Sequence, residues 1–189
     1  MPGARTVSRG YSAVQTARLV SALRWVCGRL SEIVDVWATE AAAAEDSAAA
    51  AVEMMMLSRR LASHRGVLDG LQPDSERLSA WRQAAPADES LAGALGEIAT
   101  LEGASERLAV ARQVLVPQLV GVYLQIGIHA APHCDGALAS AAGSLGHDLD
   151  RGGHHAAAPA GDGPANAARR LSAAGGLVGR SLLRPAGWA

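Results

Sequence analysis

The segment Ala104–Ala130, ASERLAVARQVLVPQLVGVYLQIGIHA, decides how this chain is read. Its apolar residues Leu108, Ala111, Leu115, Leu119, Val122 and Ile126, closed by His129, step by three or four positions. That spacing holds one stripe of a helix against a core. Between Val114 and Ile128 the strongly polar residues are Gln118 and Gln125, so the segment reads as a central helix surrounded by others. Val and Ile are also strand formers, but Pro117 lacks the N–H that a central strand would use. Within a helix the same proline predicts a kink rather than a break, because the apolar period continues on both sides.

Helices extend outward from this segment in both directions. Leu19, Leu23, Val26, Leu30, Ile33 and Trp37 repeat at helical steps and predict a first helix from about Ser12 to Thr39. A second, rich in Ala, Met and Leu, carries Met54, Leu57, Leu61, His64, Leu68 and Leu71 on one stripe and ends before Pro73. Glu45-Asp46-Ser47 offers a cap, and the break between the two helices is expected there. An unbroken helix through the Ala run is the rival, because no Gly or Pro separates Arg29 from Arg65. Asp74–Gln83 reads as a short helical turn. Asp88 caps a further helix bearing Leu91, Leu95, Ile98 and Leu101, and Gly103 marks the joint before the central helix. After Pro132, Asp135 is placed to cap a last helix with Leu138, Ala142, Leu145 and Leu149 inward, stopped by Gly152-Gly153.

Residues 1–11 read as a flexible lead-in, 12–152 as one all-α bundle, and 153–189 as a Gly/Ala/Pro-rich tail. In the tail Leu171, Leu177, Val178, Leu182 and Leu183 are sparse and interrupted by Gly175-Gly176. A short helix at Ala167–Ala174 and otherwise disorder or loose docking are expected there, so the tail reads as flexible. With 189 residues and no Phe, the core must be built from Leu, Val, Ala and Met.

Charge and cysteine content narrow the function classes. A net charge of −1 gives no basic footprint for nucleic acid, and all 17 cationic residues are Arg. Cys27 and Cys134 are too few for a disulfide framework, and the expected setting is reduced and cytoplasmic. The N-terminal stretch lacks the apolar run of a secretory signal. The fifteen-residue run Val114–Ile128 falls short of the roughly 20 residues needed to span a bilayer, so no membrane partner is expected.

Three stretches resemble a group of actinobacterial ferritin-like proteins, mostly of unassigned activity. They are RLASHRGVLDGL at Arg60–Leu71 followed by Gln72-Pro73, ERLAVARQVLVPQLVGVY at Glu106–Tyr123, and APHCDGA at Ala131–Ala137. The resemblance covers about Leu19–Asp150 and implies a ferritin-like four-helix bundle with a kinked central helix. The Gly/Pro-rich tail departs from that group, whose later portion continues as an acidic helix.

A ferritin-like di-iron centre needs a Glu from each of two helices and a Glu-x-x-His pair from each of the other two. None of the six histidines has Glu three positions earlier, so no resident metal is expected. Were iron bound by an atypical set, the candidates are Glu53, His64, Glu106, His147 and Asp148. Glu53 and His64 lie eleven residues apart on one helix, roughly 16 Å at 1.5 Å per residue, too far to share an ion. His129, His133 and Cys134 carry suitable donors, but Pro132 interrupts their helix, and a loop coincidence is the simpler account. His64 itself is expected to be a core histidine bonded to a backbone or carboxylate partner. The consecutive Met54-Met55-Met56 are expected to fill core space. The leading expectation is a metal-free bundle serving as a binding or accessory protein, with a protein partner or a second copy. The alternatives are a metal-dependent oxidase or oxygenase with an atypical ligand set, and a cofactor-independent enzyme using His64 as acid or base.

Overall fold

A computed structural model describes residues 10–44, 47–131, 133–151 and 162–185. Among them every regular element is helical, so the all-α class is observed. Helix α1 runs Ala13–Ala42 and α2 runs Ala48–Asp69. Ser12 begins α1 with a reciprocal cap: its hydroxyl accepts the Gln15 N–H, and Gln15 Oε1 accepts the Ser12 N–H, both at 3.2 Å. Helix α1 ends at Ala42 and α2 begins at Ala48, so the break between them falls where it is expected, with Ser47 at the N-cap position of α2. Ser47 makes no side-chain cap bond, and Glu45 and Asp46 lie outside the described residues.

The two helices pack side by side along their apolar stripes. Leu19, Leu23, Val26, Leu30, Ile33 and Trp37 are all buried, as are Met54, Leu57, Leu61, His64 and Leu68 opposite. Midway along, Ser31 and Ser58 exchange hydrogen bonds, each hydroxyl donating to the other's carbonyl at 3.0 and 3.1 Å. Small polar residues let the backbones approach without leaving a donor unpaired. Helix α2 stops at Asp69, short of Pro73, with Gly70 as its C-cap, so Leu71 lies beyond the helix and is half-buried. Of the three methionines, Met54 alone fills the core; Met55 and Met56 are exposed.

A 3₁₀ helix, Glu76–Arg82, follows and is held to α1 by the buried Arg24, whose Nη1 donates to the Arg82 carbonyl at 2.7 Å. Arg24 Nε pairs with Asp69 at 2.5 Å. Helix α3, Glu89–Ala99, is capped by Asp88, which accepts the Ser90 N–H at 2.8 Å, and it buries Leu91, Leu95 and Ile98. Trp37 Nε1 donates to the Ala99 carbonyl at 3.1 Å, tying the end of α3 to α1. Gly103 then takes φ 79°, a left-handed value suited to glycine, and opens the central helix.

That helix comprises α4 (Ala104–Val110), a π-helical turn (Ala111–Leu115) and α5 (Val116–His129). Before Pro117, where a kink is expected, the helix continues unbroken through a widened turn, in which the Val116 N–H reaches back five residues to the Ala111 carbonyl. A proline ring collides with the carbonyl four residues earlier in a regular helix, and a wider turn immediately before it relieves the crowding. Ala111, Leu115, Leu119, Val122 and Ile126 are buried, with Leu108 half-buried, as the spacing predicts.

The expectation that this helix is surrounded on every side fails. Leu124 and Ile128 are 62% and 65% exposed, because α6 (Gly136–Asp150) covers one flank of α5 and leaves the outer face open. The apolar outer face belongs to the surface and not to the core.

Asp135 precedes α6 as predicted, but its carboxylate does not cap that helix. It is buried and reaches the other way, accepting the Tyr11 and Ala131 N–H groups at 2.9 and 3.1 Å and the Thr16 hydroxyl at 3.0 Å. Helix α6 buries Leu138, Ala142, Leu145 and Leu149; the Gly152-Gly153 stop lies outside the described residues.

The loose tail expected after residue 153 is corrected over residues 162–185. Helix α7 spans Asp162–Ala173, and a short α8 spans Arg180–Leu183. Ala167, Leu171, Leu177, Val178 and Leu182 are buried in the same core as α1 and α3. Sparse apolar residues suffice because Gly175, Gly176 and Gly179, at φ 81°, 82° and 75°, fold the chain back so that all of them face inward. Tyr11 Oη donates to the Leu183 carbonyl at 3.1 Å, and Gln15 Nε2 to the Arg184 carbonyl at 3.1 Å. The rest of the expected tail lies outside the described residues.

Candidate functional site

Two features meet on α5 at Tyr123. The first is a buried chain of polar side chains drawn from four helices. Cys27 of α1 sits with Sγ 3.4 Å from the Tyr123 hydroxyl. The same hydroxyl is 3.2 Å from Nδ1 of His64 on α2, and His64 Nε2 is 3.1 Å from Oδ2 of Asp148 on α6. Cys27, His64 and Tyr123 are at most 2% exposed, whereas the Asp148 side chain is 52% exposed. The chain therefore leads from solvent to a thiol in the core.

Burial shapes the titration of every buried member. It pushes the Cys27 thiol up to about 11 against an opposing hydrogen bond from Tyr123, and it raises Tyr123 well above its ordinary value, helped by Cys27. It lowers His64, opposed by the hydrogen bond and charge of Asp148 and reinforced by Arg60. Near neutral pH the site holds a thiol and a phenol, neither activated as a nucleophile. His64 has both ring nitrogens engaged in hydrogen bonds and is 2% exposed. It is the carboxylate-bonded core histidine that the sequence predicts.

The second feature is an open groove of about 480 Å³ between α5 and α6. Val120, Leu124, Ile128 and Ala142 give it apolar walls, Tyr123 forms part of its floor, and His147 and Asp150 stand at one end. Gly146 of α6 packs against this floor: a Cβ there would sit 3.4 Å from Tyr123 Cβ, at ordinary contact distance. From Val114 to Ile128 and from Gly136 to Gly146 neither helix carries a charged side chain. The helix from Ala104 to His129, 26 residues, is by length and composition apolar enough to cross a membrane, and just over half of its most apolar stretch is buried in the fold, as in a core helix.

The metal candidates disperse. Among the described residues no three His, Cys, Asp or Glu side chains converge to hold an ion. Glu53 pairs with Arg112 of the π-helical turn, whose buried Nε finds no partner among the described residues. Glu106 lies against Gly163 of α7. His147 is exposed in the groove, and only His64 and Asp148 come together, as hydrogen-bond partners. His133 and Cys134 are exposed beyond the end of α5, and His154 and His155 lie outside the described residues.

Tyr123 and Cys27 are the members that sequence reading misses. Tyr123 follows the buried Val122 on the helix period, and Cys27 follows Val26; both are signals of core position rather than of polar contact. The comparisons with known proteins add no relative: no protein-family model, no curated protein and no solved structure matches the chain.

Proposed function

We propose that this chain is a metal-free, ferritin-like four-helix bundle of the cytoplasm that binds an apolar partner or ligand in the groove between α5 and α6. Four long helical rods, α1, α2, α4–α5 and α6, support the bundle reading, and the punctuation at Pro73, Pro117 and Asp135 supports the ferritin-like relation. One observation carries the functional part. Leu124 and Ile128, the most exposed large apolar side chains described, flank a groove on the two helices that carry no charge along their middle stretches. Contiguous exposed apolar surface on a globular protein marks a place where something binds.

Binding of an anilinonaphthalene sulfonate dye tests this. The full chain should enhance its fluorescence, and Leu124→Arg with Ile128→Arg should abolish the enhancement while leaving the helical circular-dichroism signal intact. Undiminished dye binding by a folded double variant would move the site elsewhere and overturn the reading.

A further inference from the structure

The directions of the hydrogen bonds in the buried chain follow by elimination. A carboxylate only accepts, so Asp148 must receive a proton from His64 Nε2. A neutral imidazole carries one N–H, which leaves Nδ1 as an acceptor for the Tyr123 O–H. The Tyr123 oxygen, having spent its hydrogen, is then free to accept the Cys27 S–H. At neutral pH the protons all point one way, from the core thiol toward the surface carboxylate.

We propose that this chain is a protonation switch: uptake of one proton by His64 reverses two buried hydrogen bonds and changes the state of the Cys27 thiol in the core. The proton is taken from solvent hydronium, leaving water, and ends on Nδ1, the ring nitrogen that still holds a lone pair, forming an N–H bond with no heavy-atom bond made or broken. Nδ1 then donates to the Tyr123 oxygen. The phenol hydrogen must rotate away, and the acceptor within reach is Cys27 Sγ at 3.4 Å. The S–H, losing its acceptor, turns aside. The bond from Nε2 to Asp148 keeps its direction and becomes an ion pair. The groups facing His64 are Tyr123 from α5, Asp148 from α6 and Arg60 from its own helix, with Cys27 of α1 behind Tyr123. Asp148 favours the imidazolium and Arg60 opposes it, and burial keeps the switch in its neutral position until the solution is acidic.

Two measurements on the full chain test the switch. Long-range ¹H–¹⁵N spectra of histidine-labelled protein at pH 8 should show His64 as the Nε2–H tautomer, and Asp148→Asn, whose amide can donate as well as accept, should mix the tautomers. In a Cys134→Ser background Cys27 is the one remaining thiol. Its infrared S–H band should move to higher frequency as His64 titrates, and Tyr123→Phe should remove that movement. An Nδ1–H tautomer at pH 8, an S–H band that ignores the His64 titration, or unfolding before His64 takes up its proton would each overturn the proposal.

Discussion

The carboxylate of Asp135 accepts the backbone N–H of Tyr11 at 2.9 Å, joining positions 124 residues apart in the chain. Two further donors, the Ala131 N–H and the Thr16 hydroxyl, converge on the same buried group. Gly10 lies close enough that a Cβ there would collide with Asp135 and Ala131. One carboxylate thus closes the start of α1 onto the turn before α6.

Asp135→Ala should therefore destabilise the protein by about 2 to 3 kcal/mol, because buried N–H groups lose their acceptor and water cannot reach them. Urea unfolding measures it. A loss below about 0.5 kcal/mol, the range of ordinary surface substitutions, would mean that the three donors find other partners.

Acidification should destabilise the fold through His64. Its folded value lies below the ordinary 6.5, so the unfolded chain binds the proton more readily. The contribution is fully present above pH 6.5 and is lost as pH falls through the lower folded value. The urea midpoint should drop between pH 8 and pH 5, and His64→Gln should flatten that dependence. An equal slope in the variant would assign the effect to other groups.

Leu171→Ala should cost about 2 to 5 kcal/mol, the range for emptying a buried leucine site. Leu124→Ala, on the open face of α5, should stay within about 0.5 kcal/mol. Thermal melts of the two variants compare them directly. Equal melting temperatures would return residues 162–185 to the loose docking that their composition suggests.

Anaerobic incubation with ferrous iron followed by desalting should leave well under one iron per chain, since the candidates Glu53, His64, Glu106, His147 and Asp148 do not converge. Two irons retained per chain, lost in His64→Ala, would reveal a ligand set absent from this arrangement.

Periodicity made most of the helical framework legible. The stripes of α1 and α2, the cap at Asp88 and the joint at Gly103 all follow from local spacing, because each is settled within one or two turns of chain. What periodicity could not show is which sides of an apolar helix are covered. Leu119 and Leu124 look alike in sequence, yet one is fully buried and the other 62% exposed, since coverage depends on where α6 docks. The tail misled for a related reason: Gly175 and Gly176 read as breakers, but together with Gly179 they take left-handed conformations that aim Leu171, Leu177 and Leu182 at one core. His64 could be placed in the core from its stripe. Its partners could not be, because Tyr123 and Asp148 lie 59 and 84 residues away.

The π-helical turn at Ala111–Leu115 makes chain length and residue identity interdependent at one point of the central helix. The wider turn holds one residue more than regular α-helical spacing requires, and the ring of Pro117 is what makes that surplus useful. Replacing Pro117 alone would leave slack with nothing to accommodate, and removing one residue alone would drive the ring into the carbonyl behind it. Together the two changes would give an ordinary helix presenting the same face to the core. A one-residue gap beside this proline, in an aligned descendant, should therefore coincide with the proline's loss.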